Sequence, residues 1–176
     1  MVRRDHQSPE LLADALEHVI YEIWKYNQSV GDYRNIVQTG GDAAMEFRVL
    51  HNWILLEFLY GSPEHLDRIV ASDYIADWHL THGRATKLWL DPYVDRCRTM
   101  LSPISISRVT KGKAGLRPWT QEWPDIEPYI DEAISEFLRG LSADHKTICR
   151  QWVDRWFRPG KPGSEALASL ASALGS

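Results

Sequence analysis

Met45-Glu46-Phe47-Arg48-Val49-Leu50-His51-Asn52-Trp53-Ile54-Leu55-Leu56-Glu57-Phe58-Leu59-Tyr60-Gly61 is the stretch that decides the fold. From Val49 to Tyr60 nine of twelve residues are apolar, and His51, Asn52 and Glu57 are the exceptions. The run is too short and too polar to cross a bilayer, which takes about 20 mostly apolar residues. A surface helix shows one polar face. This one is apolar nearly all round, as a helix is when neighbours cover it on most sides. It predicts the central helix, residues 42–60, of an all-α bundle, with Gly61 as its C′ residue.

Working outward, helical spacing recurs on both sides. Ser8 is a cap, Pro9 suits the first helical position, and Glu10 suits the positive end of the dipole. Leu12, Leu16, Val19, Ile20, Ile23 and Trp24 then follow at helical spacing, and the helix should end near 27–31. A connector over 32–41 carries Gly40-Gly41. The strip 69–75 reads either as a short helix capped by Ser72 or as an extended segment over the bundle. A helix over 84–101 contains Asp91-Pro92, which predicts a kink or a fresh start. Residues 104–109 alternate apolar and polar like a short strand, but no second strand is visible to pair with it. Residues 125–141 form a helix with Asp125, Glu127, Asp131 and Glu132 on a solvated acidic face. Ser142 caps the next helix, which runs to about Phe157. The expected architecture is therefore a bundle of about five main helices. Residues 1–158 form the bundle domain, and 159–176 supply a linker and a short, half-detached C-terminal helix.

The totals narrow the function classes. A chain of 176 residues buries a core without staples. Eight tryptophans is a high count for this length and predicts a core built from aromatics or, as the lesser alternative, an exposed aromatic surface for a partner. The formal charge of −4 counts against extensive nucleic-acid binding, which draws on a basic surplus. Cys97 and Cys149 lie far apart and have neither zinc spacing nor a disulfide framework. The first residues show no apolar h-region, so no secretory signal is expected. The cytoplasm, with both thiols reduced, is the expected compartment. No phosphate loop, dinucleotide fingerprint or nucleophile elbow is present.

Three clusters carry chemistry-capable residues. Arg48, His51 and Asn52 share one side of the central helix. A His beside a guanidinium suits acid–base chemistry or phosphate binding. The competing expectation is a buried polar patch that bonds to itself or to a neighbouring carboxylate. His79 and His82 have metal-compatible types, but they lack the adjacent Glu and four-residue spacing of a zincin, so no metal is expected. The segment 111–115 is basic and glycine-containing and reads as a solvated loop.

Arg139 and His145, with five residues between them at the turn between two helices, resemble the active-site signature of the HEPN nucleases, which are small helical bundles that cut RNA. The resemblance implies His145 as acid/base and Arg139 on the scissile phosphate. Gly140 stands where that family usually carries Asn or Asp after the Arg. Residues 11–141 also resemble a family of uncharacterised bacterial helical proteins. The likeness runs through Phe47-x-x-Leu50-His51-x-x-x-Leu55-Leu56-Glu57-Phe58-Leu59-Tyr60-Gly61 and Ile69-Val70-Ala71-Ser72-Asp73-Tyr74. Trp53 and Ile54 replace the Arg-Asn pair usual there, and no activity carries over from that family. The expected function is a non-enzymatic interaction or regulatory protein with a protein partner or self-association. Trp119, Trp123 and residues 165–174 would form its surface, and Arg48 and His51 would be further binding residues. The alternative is a HEPN-like RNA-binding protein or ribonuclease. Neither reading calls for a cofactor, a small-molecule cofactor site or a membrane.

Overall fold

The computed structural model describes residues 8–36, 42–62, 68–78, 119–156 and 164–175. Among them are five α-helices and no strand: α1 (Pro9–Ile36), α2 (Asp42–Tyr60), α3 (Trp119–Gly140), α4 (Ala143–Trp156) and α5 (Ser164–Gly175). The fold is an all-α bundle. α1 packs against α2, α4 and α5, α3 packs against α2 and α5, and α4 packs against α5.

α1 begins at the expected cap, where the Leu11 N–H donates to Ser8 Oγ at 3.2 Å. The local backbone N–H, and after it that hydroxyl, hold the Glu10 carboxyl below the usual carboxylate range. Leu16, Val19, Ile20, Ile23 and Tyr26 form its buried face. The helix runs past the expected stop, through Gly31 to Ile36. A helical glycine costs only about 1 kcal/mol, too little to end a helix without a competing conformation.

α2 has the predicted bounds and buries Arg48, Val49, His51, Asn52, Leu55, Leu56, Phe58 and Leu59. Gly61 is required for space. A Cβ there would overlap the Glu57 carbonyl oxygen and press on Val70 Cγ1 at 3.0 Å. The ambiguous strip resolves into a 3-10 turn, Ala71–Asp73. Its cap is not Ser72. The Val70 N–H donates to Asp73 Oδ2 at 2.8 Å, which folds the turn over the buried Ala71. Trp78 follows, buried, with its indole N–H donating to the Leu59 carbonyl at 2.6 Å.

α3 starts at Trp119, ahead of the expected Asp125, and includes Pro124 and Pro128. Each proline removes one backbone donor. The burial of Ile126, Ile130, Ala133, Ile134, Phe137 and Leu138 on one face outweighs that loss. Ser142 caps α4 as expected, its Oγ accepting the His145 N–H at 3.2 Å. α5 is docked, contrary to the half-detached expectation. Leu170 and Leu174 are buried, and the Arg150 guanidinium of α4 donates to the Leu174 carbonyl.

Phe137 is the aromatic hub of the core. Phe58, Tyr74 and Trp78 meet it near-perpendicularly at 5.0, 5.7 and 6.0 Å between ring centroids. Edge-to-face pairs at this distance add to the area they bury. The tryptophans divide by position. Trp78 and Trp152 are buried, Trp24 and Trp53 pack half-buried against the core, and Trp156 is exposed. The helix expected over 84–101, the alternating run 104–109, the basic loop 111–115 and His79 with His82 lie outside the described residues. No described helix is long and apolar enough to cross a membrane.

Candidate functional site

The α1–α2 interface joins a buried polar network to an open apolar cleft. The network begins on α2, whose interior face carries three polar side chains among aliphatic ones. Arg48 is 2% exposed and forms an ion pair with Glu127 of α3. His51 is 4% exposed, and its Nδ1–H donates to Glu22 Oε2 of α1 at 2.5 Å. The edge of the Phe47 ring lies 4.2 Å from the imidazole, centroid to centroid. Asn52 is wholly buried, and its side-chain amide has no hydrogen-bond partner among the described residues. Farther along α1, the buried Tyr26 hydroxyl donates to Asp131 of α3 at 2.8 Å. Burial and the Asp131 carboxylate together raise the Tyr26 phenol far above its ordinary pKa.

Glu127 therefore departs from the solvated acidic face expected of α3, whereas Asp131 stays exposed on it while accepting from the buried Tyr26. Both stand at the edge of its apolar face, three residues before Ile130 and Ile134 respectively, and both turn toward buried donors on α2 and α1. A buried guanidinium needs a carboxylate more than the surface does, because desolvation of an unmatched charge costs several kcal/mol, roughly 3–5 in broken pairs.

Beside this network lies a cleft of about 410 Å³. Ala15, Val19, Ile54, Leu55, Phe58 and Ile69 supply its apolar walls, and His18, Glu22, Trp53, Glu57 and Arg68 supply its polar atoms. Glu57 is matched, accepting from Arg68 at 2.5 Å and from the Trp53 indole N–H at 3.3 Å. Glu22 thus belongs to both features, with one edge on His51 and another on the cleft. Beyond Ile54, Leu50 and Phe47 continue the same stripe of α2 and remain exposed. Lys25 Nζ stands 5.6 Å from the Phe47 and Tyr21 ring centroids and 4.4 Å from that of Trp24, a cation–π arrangement.

The remaining residues singled out in the sequence fall elsewhere. Arg139 is exposed in the last turn of α3, where its Nε–H donates to the Ser135 carbonyl at 3.2 Å. His145 lies in the first turn of α4, half-buried, with the edge of its ring against Tyr74 at 5.4 Å. The two stand on separate helices with different neighbours. Trp119 and Trp123 lie in the first turns of α3, and their side chains fall outside the described residues. Among the described residues, no group of three His, Cys, Asp or Glu could hold a metal ion. Comparison with known protein families, curated proteins and solved structures finds no match.

Sequence reasoning located Arg48 and His51 but missed Glu22, Glu127 and the cleft. A signal for Glu22 does exist. It lies three residues after Val19 and four before Tyr26, so it borders the apolar stripe of α1. Nothing comparable announces the cleft, because its walls come from α1, α2 and the strip before the 3-10 turn.

Proposed function

We propose that this chain is a non-enzymatic helical interaction module, with the α1–α2 cleft as the socket for an anchor side chain of a protein partner. The observation that carries the reading is the cleft, an apolar-walled concavity large enough for one bulky side chain and part of its neighbour. The exposed Leu50 and Phe47 extend its α2 wall, and exposed apolar residues in one patch mark interaction surfaces. Anchor-in-pocket contacts dominate the binding energy of most interfaces. The polar network supports the same reading. Arg48, His51 and Tyr26 are buried and engaged with Glu127, Glu22 and Asp131 across three helices, an arrangement suited to fixing how the helices pack. The apolar face of α5 is committed to the core through Leu170 and Leu174, which supports α1–α2 over the C-terminal helix as the partner surface.

The test is selection of displayed random peptides on the full chain, followed by titration against Ala15→Trp. Ala15 is half-buried on the cleft wall, so an indole there fills the socket and leaves the core alone. The expected result is at least a roughly tenfold loss of affinity with an unchanged melting temperature. Selected peptides that bind Ala15→Trp as well as wild type would end the proposal.

A further inference from the structure

We infer that the segment received by the α1–α2 cleft pairs its apolar anchor with a lysine or arginine, whose cation meets Glu22. The inference rests on the reading of the cleft as a partner socket and adds the chemistry of the occupant.

The two carboxylates of the cleft differ in what opposes them. Glu57 faces the permanent cation of Arg68 at 2.5 Å. Glu22 faces an imidazole, His51 Nδ1, which supplies one hydrogen bond at Oε2. A carboxylate has about four acceptor sites, so Glu22 keeps room for a second donor. Its side chain is 18% exposed, and that exposure borders the cleft. The nearby cations are directed elsewhere. Arg48 pairs with Glu127, Arg155 stands 3.8 Å from Glu17, and Lys25 sits among the Tyr21, Trp24 and Phe47 rings.

The first part of α1 is acidic, although Glu22 alone of its acids lines the cleft. From Pro9 to Trp24, α1 carries Glu10, Asp14, Glu17 and Glu22 and neither lysine nor arginine. A basic segment approaching α1 is attracted by this charge at long range, whereas an acidic one is repelled. Inside, the aliphatic walls lower the local dielectric and strengthen a charge-assisted hydrogen bond to Glu22. Lysine and arginine suit the geometry of such a site. Their methylene stems lie along apolar walls such as Val19 and Ile54, while the cation reaches the carboxylate.

The experiment uses the peptides selected on the full chain. The expected result is that peptides sensitive to Ala15→Trp carry Lys or Arg within two positions of their apolar anchor. Replacing that basic residue by norleucine should weaken binding about tenfold, and by Glu further still. Glu22→Gln should remove the preference of the receptor for the basic peptide over its norleucine analogue. Its amide oxygen still accepts from His51, so the fold is retained. If Glu22→Gln nevertheless unfolds, the norleucine and Glu peptides on wild type decide the matter alone. Cleft-binding peptides with acidic or uncharged neighbours, or a norleucine analogue that binds equally well, would overturn the inference and leave the socket standing. Insensitivity of every peptide to Ala15→Trp would instead remove the socket.

Discussion

His51 on α2 donates from Nδ1 to Glu22 Oε2 on α1 at 2.5 Å, and the pair stands between the buried network and the open cleft. His51→Ala removes the ring and leaves Glu22 without its donor, so it should cost about 2 kcal/mol. Glu22→Gln keeps an oxygen that accepts from Nδ1–H and should cost under about 1 kcal/mol. Urea unfolding of both variants checks the order. Equal losses would mean that the hydrogen bond is not what holds the imidazole.

The Arg48–Glu127 pair predicts an asymmetry. The Glu127 side chain is 21% exposed and reaches water when left alone, whereas Arg48 at 2% does not. Glu127→Ala should therefore cost about 3 kcal/mol or more, exceeding Arg48→Leu by at least about 1 kcal/mol. The double change Arg48→Leu with Glu127→Leu should recover most of that loss, because apolar residues of similar volume suit the site. A double-mutant cycle in denaturant gives the coupling. Additive losses would show the two side chains to be independent.

Two neighbouring tryptophans on α4 should behave oppositely. Trp152 is 5% exposed in the core, while Trp156 is 55% exposed. Trp152→Ala should cost about 3–5 kcal/mol. Trp156→Ala should cost under about 1 kcal/mol, since the exposed ring loses a tilted contact with Trp152 at 6.0 Å and little burial. Calorimetric melting of each variant distinguishes them.

Gly61→Ala should destabilise the chain by about 1–3 kcal/mol. The new methyl would meet a backbone carbonyl, that of Glu57, which cannot swing away as a side-chain tip can. Gly140→Ala is the control. Its Cβ would meet the Ile75 side chain, crowding only the terminal Cδ1, at 2.7 Å. That terminal methyl is free to rotate aside, so the change should be within about 1 kcal/mol. Similar losses at both positions would refute the steric account.

Stability should decline in alkali. Burial pushes the Cys149 thiol from 9.0 up to about 12 and the Tyr60 phenol from 10.0 up to about 12. Acidic residues near Tyr60, Glu132 and Glu136, add to its shift. Between pH 9.0 and about 12 the unfolded chain gives up these protons before the folded chain does. The folded state then binds more protons, so stability is fully present below that window and falls as pH rises through it. Urea midpoints at pH 8 and pH 11 measure the drop, with Cys149→Ala expected to flatten part of the slope. An identical slope in that variant would remove the thiol from the account.

Much of the helical segmentation is legible from residue order, because caps and periodicity act over one or two turns. Ser8 and Ser142 cap where their hydroxyls predict, and α2 spans its predicted range. The errors arise where a local signal meets a distant one. The helix expected from Asp125 begins instead at Trp119, and its apolar face from Ile126 onward is buried in a bundle where it packs on α2 and α5. The hydrogen bond between Tyr26 and the exposed Asp131 was not legible, because the two stand 105 residues apart.

Residue order alone specifies an all-α bundle, with the central helix at residues 42–60 and three polar side chains set in its apolar surface. Helical periodicity states which residues share a face, and that information is local. The pairing of Arg48 with Glu127 and of His51 with Glu22, and the apolar cleft beside them, emerge from the packing of the helices. These depend on the register between helices. Register is set by side chains far apart in the chain packing into one another, and no single segment encodes it.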